Sequence, residues 1–76
     1  KMRIEQLANN HVKIIENNED KYFYVKQGEK VTFKSNNNLH TLTFGGDGLY
    51  MWSKMETKDK YGTMNSMVTK PMLVAS

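Results

Sequence analysis

Alternation of apolar and polar residues, interrupted by closely spaced turn residues, is the feature that most constrains the fold of this chain. Four alternating runs occupy its middle part, at residues 22–25, 31–34, 40–44 and 49–52. Because successive side chains of a strand point to opposite faces of a sheet, this pattern predicts β-strands that are buried on one face. Glycines and paired asparagines separate the runs, and both residue types tolerate the positive φ angles of tight turns.

The first predicted hairpin joins residues 22–25 to residues 31–34 through a loop of Lys26, Gln27 and Gly28. Gly28 can take the left-handed conformation that closes a bulged turn. A loop with an odd number of residues buries the apolar side chains together, whereas an even loop would exchange the faces of one strand. We prefer the odd loop because it leaves the lysines in water. The buried face then carries Phe23, Val25, Val31 and Phe33, and the outer face carries Tyr22, Tyr24, Lys30, Thr32 and Lys34.

Two further turns extend this arrangement. Asn37 and Asn38 predict a two-residue hairpin that pairs Phe33 with Leu42. The glycine-rich segment 45–48 predicts the last turn. All three turns sort the side chains in the same way, and this agreement supports the prediction. The same register pairs Val31 with Phe44, Phe44 with Leu49 and Leu42 with Met51, and it places Thr41, Thr43, Tyr50 and Trp52 on the outer face.

The two ends of the chain are less regular. Residues 2–8 fit a strand or a short helix, and residues 11–16 alternate as a strand with Val12 and Ile14 on one side. Ser53 and Glu56 have the spacing of a capping box, which predicts a short helix over residues 54–61. Pro71 is incompatible with a central strand. We therefore predict a mainly β fold, or α+β if the helix forms: one domain at 1–76, an antiparallel β-meander of four to five strands, curved or barrel-like, with a short C-terminal helix.

Composition excludes several classes of protein. The chain has no cysteine, so it forms no disulfide and no thiolate metal site. It has no apolar stretch of membrane-spanning length and no apolar leader, so we expect no membrane association and a cytoplasmic location in a host cell. The net charge of +3 favours an anionic partner, but Arg3 is the only arginine, and lysine lacks the forked geometry that reads bases and phosphates.

No constellation typical of an enzyme is present. None of the serines lies in a nucleophile elbow, and His11 and His40 do not complete a triad with the scattered carboxylates. The glycine-rich segment 45–48 lacks the lysine and hydroxyl residue of a phosphate loop. We therefore predict a non-enzymatic protein without a cofactor or metal. The alternative is a copper(I) site of His40, Met51 and Met55 capped by Trp52, for which the softer cysteine ligand is missing.

A short sequence motif near the end of the predicted meander gives a further indication of the protein's origin. Trp52 comes directly after the predicted meander, and a Thr-x-x-Lys-[His/Tyr] segment follows at Thr57, Lys58, Asp59, Lys60 and Tyr61. This layout resembles small uncharacterised proteins that are encoded by phages and plasmids of low-GC bacteria. The resemblance implies a phage or plasmid origin and carries no known activity or site.

The outer face is the predicted binding site. Aromatic side chains interleaved with lysines suit a protein interface, where tyrosine and tryptophan dominate the binding energy. We expect a small inhibitor or accessory factor that docks this face on a host protein. Two alternatives stay open: a binder of single-stranded nucleic acid that uses the same face, and a structural component of a virion or other assembly. A terminal segment could also cover this face. The predicted partner-binding residues are Tyr22, Tyr24, Lys30, Lys34, Tyr50 and Trp52.

Overall fold

The computed structural model describes all residues from Lys1 to Ser76, and every regular element in it is a β-strand. The antiparallel, mainly β prediction is confirmed. The strands form two sheets rather than one meander, and no closed barrel forms. The strands are β1 (Arg3–Gln6), β2 (His11–Glu16), β3 (Glu19–Tyr24), β4 (Val31–Ser35), β5 (Asn38–Gly45), β6 (Gly48–Lys58), β7 (Met64–Val68) and β8 (Met72–Leu73).

The smaller sheet has the strand order β1-β2-β3, and the larger sheet has the order β4-β5-β6-β7, with β8 also paired to β6. Every pairing is antiparallel. Asparagines close several turns, because they adopt positive φ more readily than other residues with a side chain. Asn17 and Asn18, at φ 51° and 61°, form the two-residue connection between β2 and β3.

The core lies between the two sheets. Its fully buried side chains come equally from both, because each strand turns its apolar alternate residues toward the other sheet. Phe23 of the smaller sheet and Phe33 of the larger sheet stack with ring centroids 5.4 Å apart. The predicted strand with Val12 and Ile14 on one side is confirmed, and both side chains are buried. The core residues are Val12, Ile14 and Val25 from one side and Phe33, Leu42 and Leu49 from the other.

The predicted hairpin at Lys26, Gln27 and Gly28 is wrong. Gly28 does have a positive φ of 83°, and the Glu29 amide donates to the Lys26 carbonyl at 2.9 Å, so the turn itself forms. However, β3 and β4 do not pair; the turn carries the chain from one sheet to the other. The apolar residues on either side still meet, but across the core instead of along one sheet.

The predicted pairings of β5 with β6 are confirmed: Phe44 lies opposite Leu49 and Leu42 lies opposite Met51. The pairing of β4 with β5 differs by two residues. The turn lies at Asn36 and Asn37, and Val31 rather than Phe33 is opposite Leu42. A shift of two residues preserves the sidedness of every side chain, so the predicted buried set on these strands is retained.

The predicted C-terminal helix over residues 54–61 is wrong. The segment from Gly48 to Lys58 is one continuous strand, and the Ser53–Glu56 pattern lies inside it. The structure therefore contains no helix with the length and hydrophobicity needed to cross a bilayer. The outer half of β6 and its partner β7 project as a hairpin beyond the core, which contributes to the 47 Å length of the molecule.

A β-bulge interrupts the edge formed by β7 and β8. Val68 lies opposite Lys54 and Met72 opposite Met51, so three residues on this edge face two on β6. Because of the extra residue, side chains after the bulge lie on the opposite face from the one that the alternation along β7 would give them. Pro71 lies within the bulge, at the edge of the sheet, where its missing N–H removes no ladder hydrogen bond.

Candidate functional site

The six predicted binding residues do not share one face. Tyr22 and Tyr24 lie on the outward face of the smaller sheet, which the register opposes to its buried residues. Lys34, Tyr50 and Trp52 belong to the larger sheet and point away from the same core in the opposite direction, and Lys30 directly precedes β4 of that sheet. The prediction of a single aromatic and lysine face is therefore wrong, because it depended on the hairpin between β3 and β4. The residues that remain together are Lys30, Lys34, Tyr50 and Trp52.

On the smaller sheet, opposite charges are paired with one another. Lys13 Nζ lies 3.6 Å from an Asp20 oxygen and 4.0 Å from a Glu5 oxygen. The negative charge of Asp20 is the main cause that raises the pKa of Lys13 above its ordinary value. The same ammonium group lies 5.8 Å from the centre of the Tyr22 ring. This face therefore presents a locally neutralised charge network.

On the larger sheet, Trp52 and Lys30 form the centre of the outer face. Lys30 Nζ lies 5.7 Å from the centre of the Trp52 ring, within cation–π range. Trp52 pairs with Thr41 of β5, and Thr41 pairs with Thr32 of β4. The two threonines therefore lie in line with Trp52 across the outer face of the sheet. Neither Lys30 nor Lys34 takes part in a salt bridge. This surface, which we call the Trp52 face, is defined by Lys30, Thr32, Lys34, Tyr50, Trp52 and Lys54.

Tyr50 is held in place at one end of the Trp52 face. Its hydroxyl donates to the carboxylate of Asp47, with oxygen distances of 2.7 and 2.8 Å. This hydrogen bond raises the pKa of Tyr50 above its ordinary value. The ring covers Gly45, where a Cβ atom would lie only 3.0 Å from Tyr50 Cε1. Gly45 thus leaves room for the Tyr50 ring, which packs against the glycine and is held at its hydroxyl by Asp47.

An apolar groove opens beside the Trp52 face at the bulge between β7 and β8. It has a volume of about 360 Å³. At the bulge, the Thr69 hydroxyl accepts from the Ser53 amide at 2.9 Å, in place of a backbone carbonyl. The groove also reaches Ile4 of the smaller sheet. Its lining residues are Ile4, Met51, Trp52, Ser53, Thr69, Met72, Leu73 and Val74.

A polar cluster lies at one end of the core. The Ser35 hydroxyl donates to the Glu16 carboxylate, which bridges the two sheets. His40 lies on the inner strand β5 with its ring stacked on Phe33, at a centroid distance of 5.1 Å. Its Nδ1 atom is buried without a hydrogen-bond partner, as is Oδ1 of Asn38. Burial lowers the pKa of His40 below its ordinary value.

The structure does not assemble the copper arrangement that the sequence left open. Trp52 alternates with Met51 along β6, so its side chain lies on the opposite face from His40 and Met51 and cannot cap them. No group of three or more histidine, aspartate and glutamate side chains lies close enough to hold a metal ion.

Sequence reasoning missed one surface, the exposed edge of the projecting hairpin. β7 carries Met64, Met67 and Val68, all of them exposed. Its alternation is poor, so the pattern gave no strand signal. The concentration of methionines in the last third of the chain was the one available indication of this surface.

No protein-family model, curated protein or solved structure matches this chain.

Proposed function

We propose that this protein is a non-enzymatic binding protein that docks the Trp52 face on an acidic surface of a host protein. The resemblance to phage and plasmid proteins supports a role as an inhibitor or accessory factor in the cytoplasm of a host cell. The single observation that carries the proposal is the contrast between the two outer faces. Charges on the smaller sheet neutralise one another, whereas on the Trp52 face only Lys54 has an acidic partner, Glu56, and neither Lys30, over Trp52, nor Lys34 forms a salt bridge.

One unpaired lysine over an aromatic ring and a second on the same face suit a particular kind of partner. Carboxylates on that partner would satisfy Lys30 and Lys34, and its apolar side chains would cover Trp52. Tryptophan and tyrosine are the residue types enriched in binding hot spots, and they lose little conformational entropy when they are already fixed. Tyr50 is such a residue, because the Asp47 carboxylate and Gly45 hold its ring.

The chain offers a matched control for testing this proposal. Lys30 lies over Trp52 at 5.7 Å, and Lys13 lies over Tyr22 at 5.8 Å on the opposite side of the molecule. We expect Trp52→Ala and Lys30→Gln to lower affinity for the host partner at least about tenfold, as removal of a hot-spot residue does. Tyr22→Ala and Lys13→Gln should leave that affinity unchanged.

The measurement is a quantitative pull-down from host lysate, followed by titration of the purified partner. Circular dichroism establishes that each variant keeps the β-sheet spectrum. Equal retention of the partner by all four variants would contradict the proposal. Loss of binding only with the Tyr22 and Lys13 variants would move the interface to the smaller sheet.

A single-stranded nucleic acid is the second candidate ligand. The observation in its favour is again the position of a lysine over an indole ring, because bases stack on aromatic side chains while lysines contact phosphates. Addition of an oligonucleotide should then quench the fluorescence of Trp52, the only tryptophan, and affinity should fall steeply as salt rises. An unchanged emission spectrum at low salt would exclude this candidate.

A further inference from the structure

The edges of the two sheets differ in their protection against pairing with other strands. An exposed edge presents unpaired backbone groups, and proteins usually place charges there to prevent association. The strands β1, β3 and β4 all carry charged residues, among them Arg3, Asp20 and Lys34. The strand β7, with the sequence MNSMV, carries none. It also has no proline and no glycine, so the only protection on this edge is its short length and the bulge that follows Val68.

Hydrogen bonds at the two ends of β7 define which backbone groups are free. The Asp59 amide donates to the Thr63 carbonyl at 3.0 Å, and the Thr69 amide donates to the Ser53 carbonyl at 2.9 Å. In an antiparallel ladder, only alternate residues bond to the neighbouring strand. Between Thr63 and Thr69, those residues are Asn65 and Met67. The N–H and C=O groups that point away from β6 are therefore those of Met64, Ser66 and Val68.

We propose that this edge pairs with the same edge of a second copy of the chain. The two β7 strands would run antiparallel about a two-fold axis at Ser66, so that Ser66 lies opposite Ser66 and Met64 lies opposite Val68 of the second copy. All three outward pairs can then exchange backbone hydrogen bonds. The two larger sheets become one continuous sheet. Such an interface is self-complementary, as a two-fold dimer requires.

The side chains fit this arrangement on both faces of the joined sheet. Because β7 has no charge, the two-fold axis opposes no like charges directly, which would otherwise destabilise the pair. On one face, the exposed Met64 and Val68 cover each other, with Lys54 and Lys58 of β6 on the outside. On the other face, Met67 lies beside Met55, and the same pair from the second copy lies diagonally across. Methionine packs well in such irregular apolar contacts.

The same register gives the apolar groove an occupant. Pairing about Ser66 brings the hairpin tip of the second copy, which carries Tyr61, toward the bulge at Pro71. Tyr61 is the most exposed aromatic residue, at 81% of its surface. Thr69 and Met72, on either side of this position, line the groove. Each copy would therefore place one tyrosine at the rim of the other copy's groove, which extends the interface beyond the strand.

A strand of five residues makes a small interface, below the size of most stable complexes. We therefore expect a dimer that dissociates on dilution. The backbone pairing involves β7, which lies outside the Trp52 face, although Lys54 and the Trp52 side of the groove adjoin it. Variants at Ser66 therefore test the dimer without changing a residue of the Trp52 face.

Disulfide formation tests the register directly, because the chain has no cysteine of its own. In the proposed dimer, the two Ser66 Cα atoms form a hydrogen-bonded pair about 5.5 Å apart, within the range of a disulfide. Ser66→Cys should cross-link to a covalent dimer under mild oxidation. Asn65→Cys is the matched control: its two copies would be diagonal, about 7–8 Å apart, and should cross-link at least about tenfold more slowly. Equal rates, or no cross-linking of either variant, would overturn the proposal.

Sedimentation over a wide concentration range gives the second test. The unmodified chain should change from monomer to dimer, and Ser66→Pro should abolish dimerisation because it removes an outward N–H group. Ser66→Ala keeps that N–H and should dimerise normally. Tyr61→Ala should raise the dissociation constant about tenfold. A chain that stays monomeric at every concentration would overturn the proposal, and this result would also follow if the edge serves a strand of another protein.

Discussion

At the scale of single residues, His40 is the clearest departure from an apolar core. It is buried against Phe33, and its Nδ1 atom has no hydrogen-bond partner. Desolvation opposes the charged imidazolium, while the nearby Glu16 carboxylate favours it to a smaller extent, so the pKa of His40 is lowered overall. A buried histidine with a lowered pKa makes the stability of the fold depend on pH.

We predict that the free energy of unfolding falls as the pH drops below about 6.5, the ordinary histidine pKa. In this range the unfolded chain takes up a proton that the folded chain resists, so protonation favours unfolding. The stabilising contribution is complete above that pH and is lost as the pH falls toward the lowered pKa of the folded state. Urea unfolding between about pH 8 and about pH 5 measures this slope.

Two variants separate His40 from other titrating groups. His40→Phe should reduce the slope, because phenylalanine can keep the stacking with Phe33 and does not titrate. His11, an exposed residue beside Tyr24, provides the matched comparison: His40→Phe should reduce the slope more than His11→Gln does. A slope that His40→Phe does not alter would assign the pH dependence to the carboxylates instead.

At the scale of elements, a turn depends mainly on the residues that form it, whereas a strand depends on the neighbouring strands with which it pairs. Asn17 and Asn18 form a two-residue turn, as paired asparagines predict, because tolerance of a positive φ is a property of the residue itself. Val12 and Ile14 alternate into the core as expected. The capping-box pattern at Ser53 and Glu56 was misleading, since β6 gains a partner strand along the whole segment from β5 and then from β7. Pairing across the sheet outweighs a local helix signal.

The turn between β2 and β3 provides a prediction at this scale. Asn18 has a φ of 61°, which a β-branched residue adopts only with strain. We expect Asn18→Val to lower the free energy of unfolding by roughly 1–3 kcal/mol. Asn18→Gly, which relieves any restriction on φ, should cost much less. Chemical denaturation of both variants measures the difference, and equal losses would show that the side chain rather than the backbone angle matters.

At the scale of the whole molecule, the two sheets depend on a common core. Three fully buried or nearly buried residues come from each side, and Phe23 and Phe33 stack across the interface. Neither sheet can bury its apolar face alone, so we expect one cooperative transition for both.

This expectation can be tested with Trp52, which reports on the larger sheet alone. Val12→Ala, in the smaller sheet, removes fully buried apolar surface and should destabilise the fold by about 1.5–3 kcal/mol. The midpoint measured by Trp52 fluorescence should therefore move with the midpoint measured by circular dichroism. Val68→Ala, at the exposed edge, should change neither in dilute solution. A Trp52 midpoint that does not respond to Val12→Ala would mean that the sheets unfold separately.

The sequence grouped only some of the candidate site residues correctly, and the reason lies in the long-range packing. Lys34, Tyr50 and Trp52 share the Trp52 face because they lie on β4 and β6, which β5 joins with turns that preserve sidedness, and Lys30 directly precedes β4. Tyr22 and Tyr24 were assigned to the same face through the hairpin at Gly28, which does not form. The edge at β7 could not be predicted, since its exposure depends on where the core ends.

The amino-acid sequence by itself determined which residues point inward and where most turns lie, because the alternation of side chains and the φ angles of asparagine and glycine are local properties. Only the tertiary structure decided that β3 and β4 belong to different sheets. The side-chain pattern is the same whether Phe23 meets Phe33 within one sheet or across two, as both arrangements bury the same residues. The choice rests on packing the inner faces of both sheets over a common core, and that depends on contacts between strands distant in sequence.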